Sequence, residues 1–321
     1  MPLALSTRWN SRRHKTGEAL VEEILGLGVQ HIELGYDLTR DLVPGIEKQV
    51  QAHAVTVVSV HNYCPVPMGV PRGHPEIYTL ADPDPRVRDK AVEQTAATIR
   101  FAARLGARAV VVHGGNVRMR PLTHKLIALA EKGREGGWWW NRTHAKLLLR
   151  RERKSPPQLE FLRQGLERLL PVLQETGLRL GLENLPSWEA IPTETEALEL
   201  MTRLADSHIG YWHDFGHGQI RENLGFTVHD RMLERLQPHL VGFHIHDVEP
   251  PAHDHIVPSF GKIDFSLFRD IVRKAPEAPR VIELDREAPV EAVLAGLKFL
   301  REQWEAPTPP AASAEARSFY G

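Results

Sequence analysis

Cysteine is almost missing from this chain: Cys64 is the only one in 321 residues. An internal disulfide is thereby excluded, and the usage suits a reducing compartment. Long apolar runs are missing too, since none approaches the roughly 18 residues that a membrane span needs. The apolar part of the opening Met1–Arg8 is too short for a secretory signal, so the cytoplasm is the expected location. Neither sign of charge is in excess. Forty basic residues against forty-one acidic give a formal net charge of -1, and so no overall pull toward nucleic acid or an anionic membrane. What is present, 42% hydrophobic and 25% charged residues, is the composition of a globular protein with ample core.

Short β-rich runs alternate with amphipathic stretches along almost the whole length, the pattern of an α/β fold with a parallel sheet. Eight strands are predicted, at 3–7, 31–35, 55–61, 107–113, 179–183, 210–214, 240–246 and 280–284. Helical periodicity is clearest at 17–27, 85–105, 157–176, 193–205, 265–274 and 289–304. Leu159, Leu162, Leu166, Leu169, Leu170 and Leu173 carry the spacing of one buried helical face. Gly28, Gly106 and Gly177 stand where helices should end with a residue of positive φ. Eight β/α units point to a (β/α)8 TIM barrel, here a single domain over residues 1–305. A doubly wound open sheet is the competing topology, but it would gather functional residues at one switch point.

Two regions break the rhythm. Residues 118–154, after the fourth strand, form a long insertion with eleven Lys or Arg against Glu131, Glu135 and Glu152, and contain Trp138-Trp139-Trp140. As an extended βα loop it would lie over the barrel mouth. It reads as a solvated helical excursion whose tryptophans pack on the rim or on a partner subunit, which leaves room for a homo-oligomer. Residues 306–321, rich in Pro, Ala and Ser, read as a flexible tail.

Four successive strands end in residues that bind metals: Leu180-Gly181-Leu182-Glu183, Tyr211-Trp212-His213-Asp214, Phe243-His244-Ile245-His246 and Val281-Ile282-Glu283. A lone acid at a strand end is usually a cap or an ion-pair partner. Four at equivalent places predict a site for one divalent cation (Mn²⁺, Mg²⁺, Co²⁺ or Zn²⁺) at Glu183, Asp214, His246 and Glu283. His244 shares a face with His246 but should lie one layer deeper, in a supporting role.

Asp214-Phe-Gly-His217, Leu182-Glu183-Asn184, His244-Ile-His246-Asp247 and the run from His255 to Phe265 together resemble the xylose-isomerase-like TIM barrel superfamily. That group holds sugar isomerases and epimerases and the endonuclease IV type of abasic-site nuclease. Likeness to the keto-sugar 3-epimerase branch implies one metal ion on Glu183, Asp214, His246 and Glu283, with the two glutamates doubling as acid and base. It further implies substrate contacts from Trp188, Glu189 and His217. An arginine of that branch is unmatched, because Ala252 stands in its place.

Likeness to the nuclease branch implies instead two or three zinc ions, with His61, His113, His217, His253 and His255 as further ligands. There His253 replaces an aspartate. His61 and His113 occur at similar places in sugar-type members, where they would line the substrate site. The reading reached from sequence is a metal-dependent sugar or sugar-derivative isomerase or epimerase acting through a metal-stabilised enediolate. The alternative is a zinc-dependent phosphodiesterase acting on abasic DNA. A small-molecule sugar is the expected partner. Nucleic acid is disfavoured by the acidic balance outside the insertion, and no membrane contact is expected.

Overall fold

The structure, a computed structural model, describes residues 2–305; the predicted tail lies outside the described residues. Eight parallel strands close into a barrel: β1 (Leu3–Ser6), β2 (His31–Leu34), β3 (Thr56–His61), β4 (Ala109–Val112), β5 (Arg179–Glu183), β6 (Ile209–Asp214), β7 (Leu240–Ile245) and β10 (Arg280–Ile282). Between β7 and β10 a short antiparallel hairpin intervenes, β8 (Asp247–Glu249) and β9 (His253–Ile256). Closure comes from β1 pairing with both β2 and β10, Leu5 lying opposite Ile32 and Ile282.

The helices are α1 (Gly17–Gly26), α2 (Val43–Gln51), α3 (Pro85–Arg104), α4 (Thr123–Ala130), α5 (Trp138–Thr176), α6 (Glu194–Leu204), α7 (Phe215–Asn223), α8 (His229–Leu236), α9 (Arg269–Lys274) and α10 (Val290–Glu305). Their apolar stripes meet the outer faces of the strands in one continuous core that includes Leu162, Leu166, Leu169 and Leu173 of the periodic run. A second, smaller cluster of Ala4, Val58, Ala109, Val111, Trp212, Val241 and Val281 is drawn from six strands and plugs the barrel. Gly242 is needed there, since a Cβ would collide with the Trp212 indole. The three helix-ending glycines have φ of +73° (Gly28), +72° (Gly106) and +69° (Gly177).

The insertion is helical: residues 118–154 contain α4 and the first part of α5, a single helix of 39 residues. Pro156-Pro157 read as a helix start because proline removes the donor that an interior turn needs. Tertiary anchors outweigh that loss. Leu147 is fully buried, Trp140 nearly so, and Arg151 is only 4% exposed. The Arg151 guanidinium donates to both Glu196 carboxylate oxygens (2.6 Å each) and to the carbonyls of Trp188 (2.6 Å) and Ala190 (2.8 Å). Trp138 and Trp139 do not pack on the rim; each is 62% exposed.

Candidate metal and substrate site

Parallel strands of a closed barrel deliver their last side chains to one mouth. Three of the four predicted ligands meet there. Glu183 ends β5, Asp214 ends β6 and Glu283 follows β10, all at most 4% exposed. Asn184 ties two of these strand ends together, donating to the Asp214 carbonyl (2.9 Å) and accepting from its N–H (2.7 Å). Asp214 also caps α7, its Oδ1 accepting from His217 N (2.7 Å).

The imidazoles arrange themselves less simply. His244 is the one whose donor atom lies within 4.8 Å of Glu183, Asp214 and Glu283 together. Its Nδ1 is 3.0 Å from Glu183 Oε1 and 3.4 Å from Glu283 Oε2, and its Nε2 is 3.0 Å from Glu33 Oε2. Both nitrogens therefore serve carboxylates, so the ring clamps the acids from below. His246 is not part of that group and touches Asp214 alone among the three acids, with Nε2 3.0 Å from Oδ1. Two donors on one cation lie about that far apart. The His255 N–H meets His246 Nδ1 (2.9 Å), so the proton sits on Nε2 and a cation between the pair would have to displace it. Gly216 gives the ring its room, for a Cβ there would strike it.

Further donors flank the carboxylates on both sides. His61 and His113 approach Glu183 Oε2 through Nε2, at 3.3 and 3.0 Å, and these three residues form one compact group. His217, His246 and His255 form another. His253 is exposed and belongs to neither. Asp254 takes the inward position instead, 3.1 Å from His255 Nδ1 and 3.9 Å from His217 Nε2. His255 has φ +56°, which breaks the alternation that would have put 253 and 255 on one face and 254 on the other.

The predicted substrate contacts fare unevenly. His217 lines a 280 Å³ cavity over the carboxylates together with His61, His113, Glu183, His255 and Glu283. Glu189 is otherwise engaged: it takes hydrogen bonds from the N–H groups of Leu122 and Thr123 and from Thr123 Oγ1, holding the N-terminus of α4. Trp188 lines neither this cavity nor its neighbour. Its ring stacks on Phe226, with centroids 4.6 Å apart, and has Arg151 and Arg221 guanidinium groups at 5.7 and 5.5 Å.

Two residues that sequence reading passed over complete the site. Glu33 on β2 is fully buried, accepting from Ser6 (3.2 Å) and Ser59 (2.8 Å) as well as facing His244. Its signal was a charge in the middle of an apolar strand, His31-Ile32-Glu33-Leu34. Arg8, just past the end of β1, bonds Tyr36 Oη (3.0 Å) and lies 3.6 Å from Glu283. It occupies the same strand-end level as the predicted ligands, which was a readable cue.

Charge follows from this packing. Burial works against ionisation of Glu183, yet His244 and His113 hold its carboxyl well below the usual range. Glu283 is likewise depressed against burial, by His244 and Arg8. Burial opposes a charge on His113, but Glu183 raises it to about 9. Glu183 Oε2 is buried with no hydrogen bond of acceptable geometry, although two imidazoles lie close. Three buried anionic carboxylates, one with an oxygen left over, form a donor set that fits a divalent cation.

Fold and site together define the class: a closed (β/α)8 barrel with acids and imidazoles converging at its C-terminal mouth. Within that class the chain belongs to the xylose isomerase-like TIM barrel family, whose model matches residues 21–303. Similar solved structures include a D-tagatose 3-epimerase-like protein (17% identity, TM-score 0.67, covering 94% of this chain and 97% of that one). Another is the 3-keto-D-glucoside 4-epimerase YcjR from E. coli (16%, TM-score 0.65, 94% and 99%). A third is the IOLI protein with a binding zinc atom (13%, TM-score 0.61, 94% and 96%). Among curated proteins, the uncharacterized protein MJ1614 of Methanocaldococcus jannaschii is 25% identical over 130 residues. That match covers 40% of this chain and spans about half (48%) of the relative's own length.

Proposed function

We propose that the protein is a divalent-metal-dependent sugar or sugar-derivative isomerase or epimerase. The observation that carries this reading is the pairing of Glu183 and Glu283. Both line the 280 Å³ cavity, and both are held ionised by the same ring, His244. Glu183, Asp214 and Glu283, with His246 beside Asp214, would hold the ion. When bound, the ion would act as a Lewis acid on a substrate carbonyl and its neighbouring hydroxyl.

The hard step is removal of a proton from carbon next to that carbonyl. One glutamate takes the proton and, now protonated, returns it to the neighbouring carbon at the same face. For inversion the other glutamate, first protonated from water, delivers one at the opposite face while the proton taken returns to water. Both carboxylates are ionised and so carry a lone pair for the proton, while Arg8 and His244 fix their orientation. His217, whose Nδ1 donates to the Asn184 carbonyl (2.9 Å), is left with Nε2 turned to the cavity for a hydroxyl. Several structurally similar proteins are named as epimerases of small sugars, which agrees with this chemistry.

Glu283→Gln keeps the shape and removes the base, so turnover should fall at least about a hundredfold. Incubation of the metal-loaded protein with a ketose panel in heavy water should show solvent deuterium at the carbon next to the carbonyl. Absence of uptake across the panel, or full turnover by Glu283→Gln, would remove the assignment.

One observation favours a second reading. The flanking groups His61/His113/Glu183 and His217/His246/His255, with Asp254 supplying the carboxylate that His253 does not, could each hold a further ion. That arrangement would suit a zinc-dependent phosphodiesterase acting on abasic DNA. Elemental analysis separates the two: one ion per chain supports the isomerase, two or three support the phosphodiesterase.

A further inference from the structure

The cleft over the carboxylates has a second lobe. A 410 Å³ cavity adjoins the 280 Å³ one, and Asn116, Pro186 and Ser187 line both. The two lobes differ in chemistry. The inner one is walled by imidazoles and acids, whereas the outer one is walled by Val117, Met119, Pro121, Ile127, Ile220 and Ala252. Several polar side chains of the outer lobe are already committed. Glu189 is held by the first turn of α4, Thr123 Oγ1 donates to Glu189 and accepts from Trp188 N (3.1 Å), and Asn116 Nδ2 donates to Glu76 (3.0 Å).

His124, Ser187 and Asp254 are the other polar side chains of the lobe. A bare polyol placed against the apolar wall would regain few hydrogen bonds for the water it loses, which is unfavourable. An apolar group would gain by leaving water. We propose that the substrate is a keto-sugar bearing an apolar substituent, such as an aryl or alkyl glycoside with one ring hydroxyl at the ketone level, with the sugar over Glu183 and Glu283 and the substituent in the lobe beneath α4. This rests on the isomerase reading and names its substrate class. The insertion builds the lobe: Met119 and Pro121 precede α4, and Ile127 lies on it. A chain without that segment would offer room for the sugar and no wall for its appendage.

The test is calorimetric titration of the full chain, supplemented with Mn²⁺, with phenyl glycosides of a hexose and pentose panel, each oxidised to its keto form, beside the unsubstituted parent ketoses. At least one phenyl glycoside should bind about tenfold or more tightly than its parent. Ile127→Trp, which fills the lobe, should bring that ratio to about one. Met119→Trp serves as the second variant, and circular dichroism melting confirms that each is folded.

Equal affinities throughout, no detectable binding of any phenyl glycoside at its solubility limit, or a ratio untouched in both folded variants would overturn the proposal. Deuterium uptake by parent ketoses is read separately. Uptake with a ratio of one removes the lobe's role and leaves the isomerase. A preserved ratio without uptake upholds the lobe's ligand and removes the isomerase.

Discussion

Glu33 shows how much a single buried side chain can organise. It receives two serine hydroxyls and faces an imidazole that in turn holds two of the site's carboxylates. Removing it leaves those donors unpaired in a place water does not reach. Glu33→Ala should therefore cost about 3 kcal/mol in chemical denaturation, whereas Glu93→Ala, at a 63% exposed side chain, should cost under about 0.5. His229 gives a second residue-scale prediction. Burial pushes its pKa down to about 3, and its Nε2 meets His213 Nε2 at 3.0 Å. The unfolded chain takes up a proton near pH 6.5 that the folded ring refuses until about 3. Stability is thus full above about 6.5 and is lost as pH falls through that window, by about 2 kcal/mol at pH 5 from this ring. His229→Gln should shrink the difference in melting temperature between pH 7 and pH 5; an unchanged difference would show that other groups set it. Sequence offered a cue for Glu33, a charge within an apolar strand, but not its partners, and none for His229. A glutamate or histidine within an apolar stretch looks the same whether it is paired or exposed until its neighbours across the barrel are known.

At the scale of elements, α5 is the segment whose sequence misleads. Pro156-Pro157 is a local stop signal, and the helix continues because Arg151 is bound four times over by the β5–α6 connection and α6. Arg151→Ala strands the Glu196 carboxylate and two carbonyls, so a loss of about 3 to 5 kcal/mol is expected. Hydrogen exchange should quicken across 138–155 while 160–176, packed on the barrel, stays protected. Uniform exchange along the helix would contradict that division. Strands were easier to read than this helix. Each of the eight begins within a few residues of its predicted place, because β-branched runs ending in charged residues mark both the barrel and its mouth. The hairpin at β8 and β9 was not legible, since the left-handed backbone of His255 that turns Asp254 inward leaves no sequence trace in a histidine.

For the whole molecule, the mouth concentrates anionic carboxylates that repel one another until a cation or a protonated ring intervenes. On the proposed reading, divalent ions would bind the folded state, where these groups are assembled, far better than the unfolded chain. Saturating Mn²⁺ or Zn²⁺ should raise the melting temperature and a chelator should lower it, with about 2.7 kcal/mol gained at a hundredfold excess over Kd. No shift with any divalent ion would argue that the clamp formed by His244 neutralises the acids unaided. The meeting of the acids was legible because a barrel's register turns strand ends into neighbours; the closer approach of His244 to them was not, because it depends on contacts across the barrel.

The grip of Glu189 on the first turn of α4 has a consequence for how such a protein can change. The loop after β5 carries Glu189 a few positions beyond Glu183, so the added segment is moored to the same connection that presents the carboxylate proposed to react. Lineages could exchange the residues of that segment, and with them the appendage recognised, while the moorings keep the chemistry in place. Selectivity would then drift on one side of the cleft under constant reactivity on the other.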